Sequence, residues 1–205
     1  MNDAVIRKNL HRQILKRHHS SRNTIVVDEF GLKHGKCRAD IAVINGSLVG
    51  YEIKSDQDSL SRLSEQVQSY NAVFDKSWIV VAPKYVKAVH RRVPKSWGIL
   101  VCTQTDDYHV GFEQVRPAVF NPRRDPFCVA QLLWHEEASQ LLKRMGESPK
   151  FLRQKRSILY QRLCELLPID DLRRKVIKAL KGRRTWRCRQ TPFVNGDSFR
   201  LAARP

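Results

Sequence analysis

The stretch from Arg38 to Lys54, Arg-Ala-Asp-Ile-Ala-Val-Ile-Asn-Gly-Ser-Leu-Val-Gly-Tyr-Glu-Ile-Lys, restricts the possible folds more than any other part of the chain. Two apolar runs, Arg38 to Ile44 and Leu48 to Ser55, flank an Asn45-Gly46 pair, the pattern of a β-hairpin. Its register decides where the polar residues go. A two-residue loop sets Asp40 opposite Tyr51 and sends Glu52 to the other face. A three-residue loop, or a bulge with Gly46 in a left-handed conformation, instead gathers Ile41, Val43, Val49, Tyr51 and Ile53 on one apolar face and leaves Asp40, Glu52 and Lys54 on the other. The odd-length loop is expected, because it alone makes both the core and the polar cluster coherent.

The rest of the N-terminal half supplies partners for such a hairpin. Ile6, Leu10 and Ile14 recur at four-residue spacing within a helix expected over 3–19, and Thr24 to Val27 is a β-branched strand. From Ser59 the period becomes helical through Leu60, Leu63, Val67 and Tyr70. Trp78 to Ala82 then reads as a buried strand, Tyr85 to Arg92 as a short helix and Gly98 to Cys102 as another strand. The resulting order, α-β-β-β-α-β-α-β, predicts a mixed sheet covered by helices. A further strand at Tyr108 to Val115 leads into a segment punctuated by Pro117, Pro122 and Pro126. Helical periodicity follows over Phe127 to Met145, Lys150 to Leu167 and Ile169 to Lys181, with Gly146 and Gly182 placed as C-terminal caps.

Charge sets the class of partner. The 205 residues carry 38 Lys and Arg against 20 Asp and Glu, a net charge of +18. Residues 1–115 hold 17 basic against 12 acidic side chains and residues 116–205 hold 21 against 8, so the excess lies towards the C-terminus. Such a field attracts polyanions by releasing their counterions, which makes nucleic acid the expected partner. An anionic membrane surface is disfavoured, since no basic amphipathic helix carries a Trp/Phe face. After Leu172 the basic side chains alternate with Trp186, Phe193 and Phe199, a composition able to grip phosphates and stack on bases; a loosely docked basic tail is the equal alternative. The residues expected to meet nucleic acid are Tyr70, Arg173, Arg174, Lys175, Lys178, Lys181, Arg183, Arg184, Trp186 and Arg187. Five scattered cysteines with no CxxC pair predict reduced thiols. With neither a bilayer-length apolar run nor a signal-peptide pattern, a cytoplasmic location is expected.

Two carboxylates, Asp40 and Glu52, converging on one face repel each other unless a cation lies between them, so a hard divalent ion, Mg²⁺ or Mn²⁺, is the expected occupant. Such an ion can hold a water as incipient hydroxide and polarise a phosphodiester oxygen, with Lys54 orienting the water or stabilising the transition state. An acid followed by a strand bearing Glu-x-Lys resembles the PD-(D/E)XK nuclease superfamily, with Ala39 in place of the nominal proline. Val27-Asp28-Glu29-Phe30-Gly31 resembles that superfamily's first motif, with Glu29 the better match. Gln66-Val67-Gln68-Ser69-Tyr70 resembles the Gln-x-x-x-Tyr element of its RecB-like branch. Gly50 to Asp56 and Pro94 to Ile99 are also similar to a small uncharacterised bacterial family within it.

The resemblance covers about residues 4–102 and implies a restriction-endonuclease-like mixed β-sheet core flanked by helices, taken as residues 1–115. A basic, mostly helical extension follows at 116–205. It further implies a Mg²⁺- or Mn²⁺-dependent hydrolase of nucleic acid, DNA ahead of RNA, and leaves the oligomeric state open, a homodimer being one possibility. Asp40, Glu52, Glu29 and the Ile53 carbonyl would hold metal, Lys54 would assist hydrolysis and Gln66 would support Lys54 or the scissile phosphate. The rival expectation is a catalytically inactive nuclease-fold protein that binds nucleic acid as an adaptor or repressor.

Overall fold

The computed structural model describes residues 1–106 and 109–183. The expected N-terminal helix forms as two pieces, α1 (Asp3–Gln13) and α2 (Lys16–His19). Asn2 caps α1 by accepting the Val5 N–H, and Ile6 and Leu10 are its buried apolar positions. Six strands follow in one sheet: β1 (Ile25–Leu32), β2 (Cys37–Ile44), β3 (Leu48–Lys54), β4 (Lys76–Val81), β5 (Gly98–Gln104) and β6 (Val110–Arg116). They lie side by side in chain order. β1, β2 and β3 are antiparallel, β3–β4 and β4–β5 are parallel, and β5–β6 closes antiparallel. The two parallel connections run through α3 (Leu63–Val73) and α4 (Val86–Arg92). The architecture is therefore a mixed α/β one, a central sheet flanked by helices.

The hairpin takes the odd-length loop. Ile44 pairs with Leu48 and Ile41 with Tyr51, leaving Asn45, Gly46 and Ser47 as the connection. Of the two forms expected, it is the three-residue loop and not the glycine bulge, since Gly46 is not among the residues of positive φ. Instead the Asn45 carboxamide oxygen accepts both the N–H and the hydroxyl of Ser47, at 2.9 and 3.1 Å. A side-chain acceptor replaces a backbone conformation.

Beyond β6 the chain forms α5 (Pro126–Ala130), α6 (His135–Arg144), α7 (Pro149–Leu152), α8 (Arg156–Leu166) and α9 (Ile169–Gly182). The long helix expected over Phe127 to Met145 is broken before Trp134, whose backbone N–H donates to Glu137 as α6 begins. Lys150 to Leu167 is likewise two helices. Gly146 adopts φ +92° after α6, as its placement required, whereas Gly182 closes α9 without positive φ.

Both faces of the sheet are covered. On one, Ile6, Leu10 and Leu15 pack over Ile41, Val43, Tyr51, Ile53, Val80 and Leu100. On the other, Ala42, Ile44, Leu48, Ile79 and Val81 share a single apolar cluster with α3 and with Val129, Leu142, Leu163, Leu172, Val176 and Leu180 of the C-terminal helices. The anchor for those helices is Asp75, only 1% exposed. Its carboxylate accepts the Leu48 N–H at 2.8 Å and meets Arg124 at 2.6 Å and Arg173 at 3.0 Å.

Candidate functional site

β2 and β3 splay apart after the Ile41–Tyr51 pair, and the Asp40 carboxylate fills the opening by accepting the Ile53 N–H at 2.6 Å. One strand further on, Glu52 and Lys54 project together towards α3, as their i, i+2 spacing demands. Lys54 Nζ lies 2.8 Å from Glu52 Oε1, and both side chains are buried. α3 then brings Gln66 and Tyr70 over the pair, one helical turn apart. The Gln66 amide and the Tyr70 hydroxyl both donate to Glu52, the latter at 2.7 Å. The same hydroxyl receives the Asp40 N–H at 3.3 Å. The structure thus brings together Asp40, Glu52, Lys54, Gln66 and Tyr70.

Glu29 goes elsewhere. It occupies a left-handed position (φ 53°) and turns to Arg7 at 2.9 Å and Arg38 at 3.5 Å. Arg7, projecting from α1, is the residue that sequence reasoning missed. Its guanidinium donates to the Asp40 carbonyl at 2.6 Å and stands 3.6 Å from the Asp40 carboxylate. The i, i+4 pair Asp3–Arg7 was the available signal, but it marks a helix face rather than a destination.

The carboxylates are therefore managed from within. Burial, reinforced by Glu52, raises the Asp40 pKa to about 7. Burial also raises that of Glu52, against the pull of Lys54. Burial pushes the Tyr70 phenol well up, keeping it a neutral donor. Glu29 is withdrawn, Glu52 is occupied by three protein donors, and among the described residues no group of three or more His, Cys, Asp or Glu could hold a metal.

The expected nucleic-acid contacts divide. Tyr70 is fully buried, so its ring belongs to the core. Arg183 is only 7% exposed, paired with Glu137 at 2.6 Å and lying over the Trp134 ring at 4.1 Å. Arg173 and Lys181 reach inward to the hairpin, at the carbonyls of Gly46 and Asn45. Arg174 is exposed but pairs with Asp171, while Lys175 and Lys178 carry no ion pair among the described residues. Arg184, Trp186 and Arg187 lie outside the described residues.

Residues 3–196 match the family described as Bacteriophage P4 protein cII. Protein cII of Enterobacteria phage P4 is 32% identical over 158 residues, covering 77% of this chain and 59% of that protein. The chain thus spans about three fifths of that relative's length. A solved protein of unknown function from Silicibacter pomeroyi is 19% identical and covers 70% of this chain and 92% of its own, with a TM-score of 0.41.

These findings overturn the nuclease expectation. Homology leads to the protein cII family rather than to the PD-(D/E)XK superfamily, and the acids meant to hold Mg²⁺ or Mn²⁺ do not assemble a ligand set. The resemblance that implied catalytic and metal-binding roles for Asp40, Glu52, Lys54, Glu29, Gln66 and the Ile53 carbonyl is withdrawn with it. Asp-(x)₁₁-Glu-x-Lys is a sparse pattern, and here it is met by a buried polar cluster that is neutralised by its own neighbours. The chain belongs to the family of bacteriophage P4 protein cII.

Proposed function

We propose that this protein binds nucleic acid without turnover, as an adaptor or repressor. One observation carries the reading: arginines pair with several of the acidic side chains around the C-terminal helices, and lysines beside them are left over. Asp75 is clamped by Arg124 and Arg173, Asp171 by Arg174, and Glu137 by Arg183. Lys175 and Lys178 on α9 have no such counter-charge among the described residues. Helix α9 is held rigidly by Leu172, Val176, Ile177 and Leu180, so these lysines project from a fixed frame. A phosphate backbone supplies the missing negative charge.

The test is a salt titration of binding to duplex and single-stranded oligonucleotides in the presence of Mg²⁺. The expected result is tight association at low salt, with the nucleic acid left intact. Replacing Lys175 and Lys178 together by Ala should reduce the slope of log K against log salt on duplex by roughly 1.8, at 0.9 per phosphate contact. Failure to bind at low salt, or Mg²⁺-dependent cutting by the purified protein, refutes the reading.

A further inference from the structure

α1 does not cover the whole of its sheet face. It packs over β3 and β6, and the chain then turns at Ile14 into α2, leaving a groove of about 880 Å³ above β3, β4, β5 and β6. That volume lies within the roughly 300–1,000 Å³ of small-ligand sites. The floor is aromatic. Trp78 on β4 is half-buried and sits beside its cross-strand partner Tyr51, with ring planes within 6° and centroids 6.3 Å apart. Half-buried Phe112 of β6 adds a third ring.

The backbone is shaped to this floor. Gly98 is the cross-strand partner of Trp78 on the opposite side, and a Cβ there would come within 2.2 Å of the indole. The glycine lets the ring lie flat across β5. A half-buried ring kept level with the sheet offers a π-face to the groove.

The rim is basic. Lys16, Arg17 and Lys76 line the groove, all three are exposed, and none has an ion-pair partner among the described residues. No described residue lining it is acidic. The chain's own segment 184–205 is poorly suited to fill it, since Arg184, Arg187, Arg189, Arg200 and Arg204 stand against Asp197 alone and repeat the sign of the rim. The occupant has to bring both negative charge and flat apolar rings.

We infer that this groove binds unpaired nucleotides of single-stranded nucleic acid, with a base stacked on Trp78 and flanking phosphates held by Lys16, Arg17 and Lys76. The inference rests on the nucleic-acid-binding reading above and adds a location and a strandedness to it. Aromatic side chains interleaved with basic ones bind single strands because every base has a π-face and every linkage a charge. A duplex keeps its bases stacked on each other and cannot use the floor.

The experiment measures fluorescence anisotropy of the full chain with labelled oligo(dT), oligo(U), an abasic strand of equal length and a blunt duplex. Trp78→Leu should weaken oligo(dT) binding by about 5- to 150-fold, the effect of losing one base–aromatic stack, and leave the abasic strand unaffected. The surface variant Lys16→Gln/Arg17→Gln/Lys76→Gln should lower the single-strand salt slope by roughly 2, at 0.7 per contact. It carries the test even if Trp78→Leu does not fold. A greater loss on oligo(dT) or on oligo(U) identifies the polymer. Wild-type affinity of both variants for oligo(dT) and oligo(U), with duplex binding intact, overturns the groove and leaves the general reading standing. So does a concentration-dependent dimer that the variants abolish while single-strand binding is unchanged. Absence of binding to all four probes overturns the general reading itself.

Discussion

Replacing Asp75 by Ala should destabilise the protein more than any other change to a single acidic residue. The carboxylate is 1% exposed and serves three groups at once: the Leu48 N–H at the start of β3, Arg124 at 2.6 Å and Arg173 at 3.0 Å. Arg124 is itself only 4% exposed in its side chain and has one further acidic partner, Asp170 at 3.2 Å. Removing Asp75 leaves a buried guanidinium short of counter-charge and a buried N–H without an acceptor. Breaking a buried ion pair from one side costs about 3–5 kcal/mol. For a chain of this size, at roughly 2–4 °C per kcal/mol, the midpoint should fall by roughly 6–20 °C. Urea denaturation at neutral pH measures the loss directly, provided the slope m is unchanged. Added salt should recover little of it, because the pair is shielded from solvent. In the double variant Asp75→Ala/Arg124→Met the penalty should shrink, since no uncompensated charge is left behind at Arg124. A loss under about 1 kcal/mol in the single variant would show that the cluster is not what fixes the C-terminal helices to the sheet.

Three further outcomes follow from the polar cluster. The Asp40 pKa is raised by burial to about 7, above its unfolded value of about 3.9. The folded state therefore holds the proton more tightly, and stability should decline from about pH 4 to about pH 7 and level off above. Asp40→Asn should flatten that decline in urea titrations across the range, and an unchanged slope would refute the assignment. Lys54→Ala leaves Glu52 buried without its cation and should cost about 3–5 kcal/mol at pH 8. Because the Glu52 pKa is also raised, part of this loss should return on acidification, and Lys54→Met/Glu52→Gln should be milder; thermal scans at two pH values decide it. Saturating Mg²⁺ or Mn²⁺ should move the melting midpoint by less than about 1 °C relative to EDTA. An ion held at a hundredfold excess over its Kd would add about 2.7 kcal/mol, a shift of roughly 5–11 °C.

The hairpin register was legible because one choice alone keeps Ile41, Val43, Tyr51 and Ile53 on a common face, and strand alternation turns that choice into the position of every other side chain. The meeting of Asp40, Glu52 and Lys54 follows from the same alternation, as does the descent of Gln66 and Tyr70 from a helix of known period. What neutralises the cluster was not legible. Arg7 reaches Asp40 across the sheet, and local pattern says nothing about where a helix is laid down. Helical period also ran on through real breaks at 131–134 and 153–155, because the pieces on either side bury their apolar residues in one cluster. The groove was hidden for a related reason: Tyr51 and Trp78 scan as core residues, and only the early end of α1 leaves Trp78 half-open.

The same end of the hairpin links the two basic surfaces. Asn45 and Ser47 line the groove, while the neighbouring carbonyls of Gly46 and Asn45 receive Arg173 and Lys181 from α9. Lys76 on the groove rim follows directly after Asp75, which clamps that same Arg173. Arg173 therefore uses its charge inside the protein to tie α9 to the hairpin end that borders the groove. Two weak electrostatic contacts held at constant separation act on a single strand as one site, because the first to engage raises the effective concentration of the second. If both surfaces meet one strand as proposed, the buried ion network has a role that its net stability does not measure: it ties the helix carrying one surface to the strand end carrying the other.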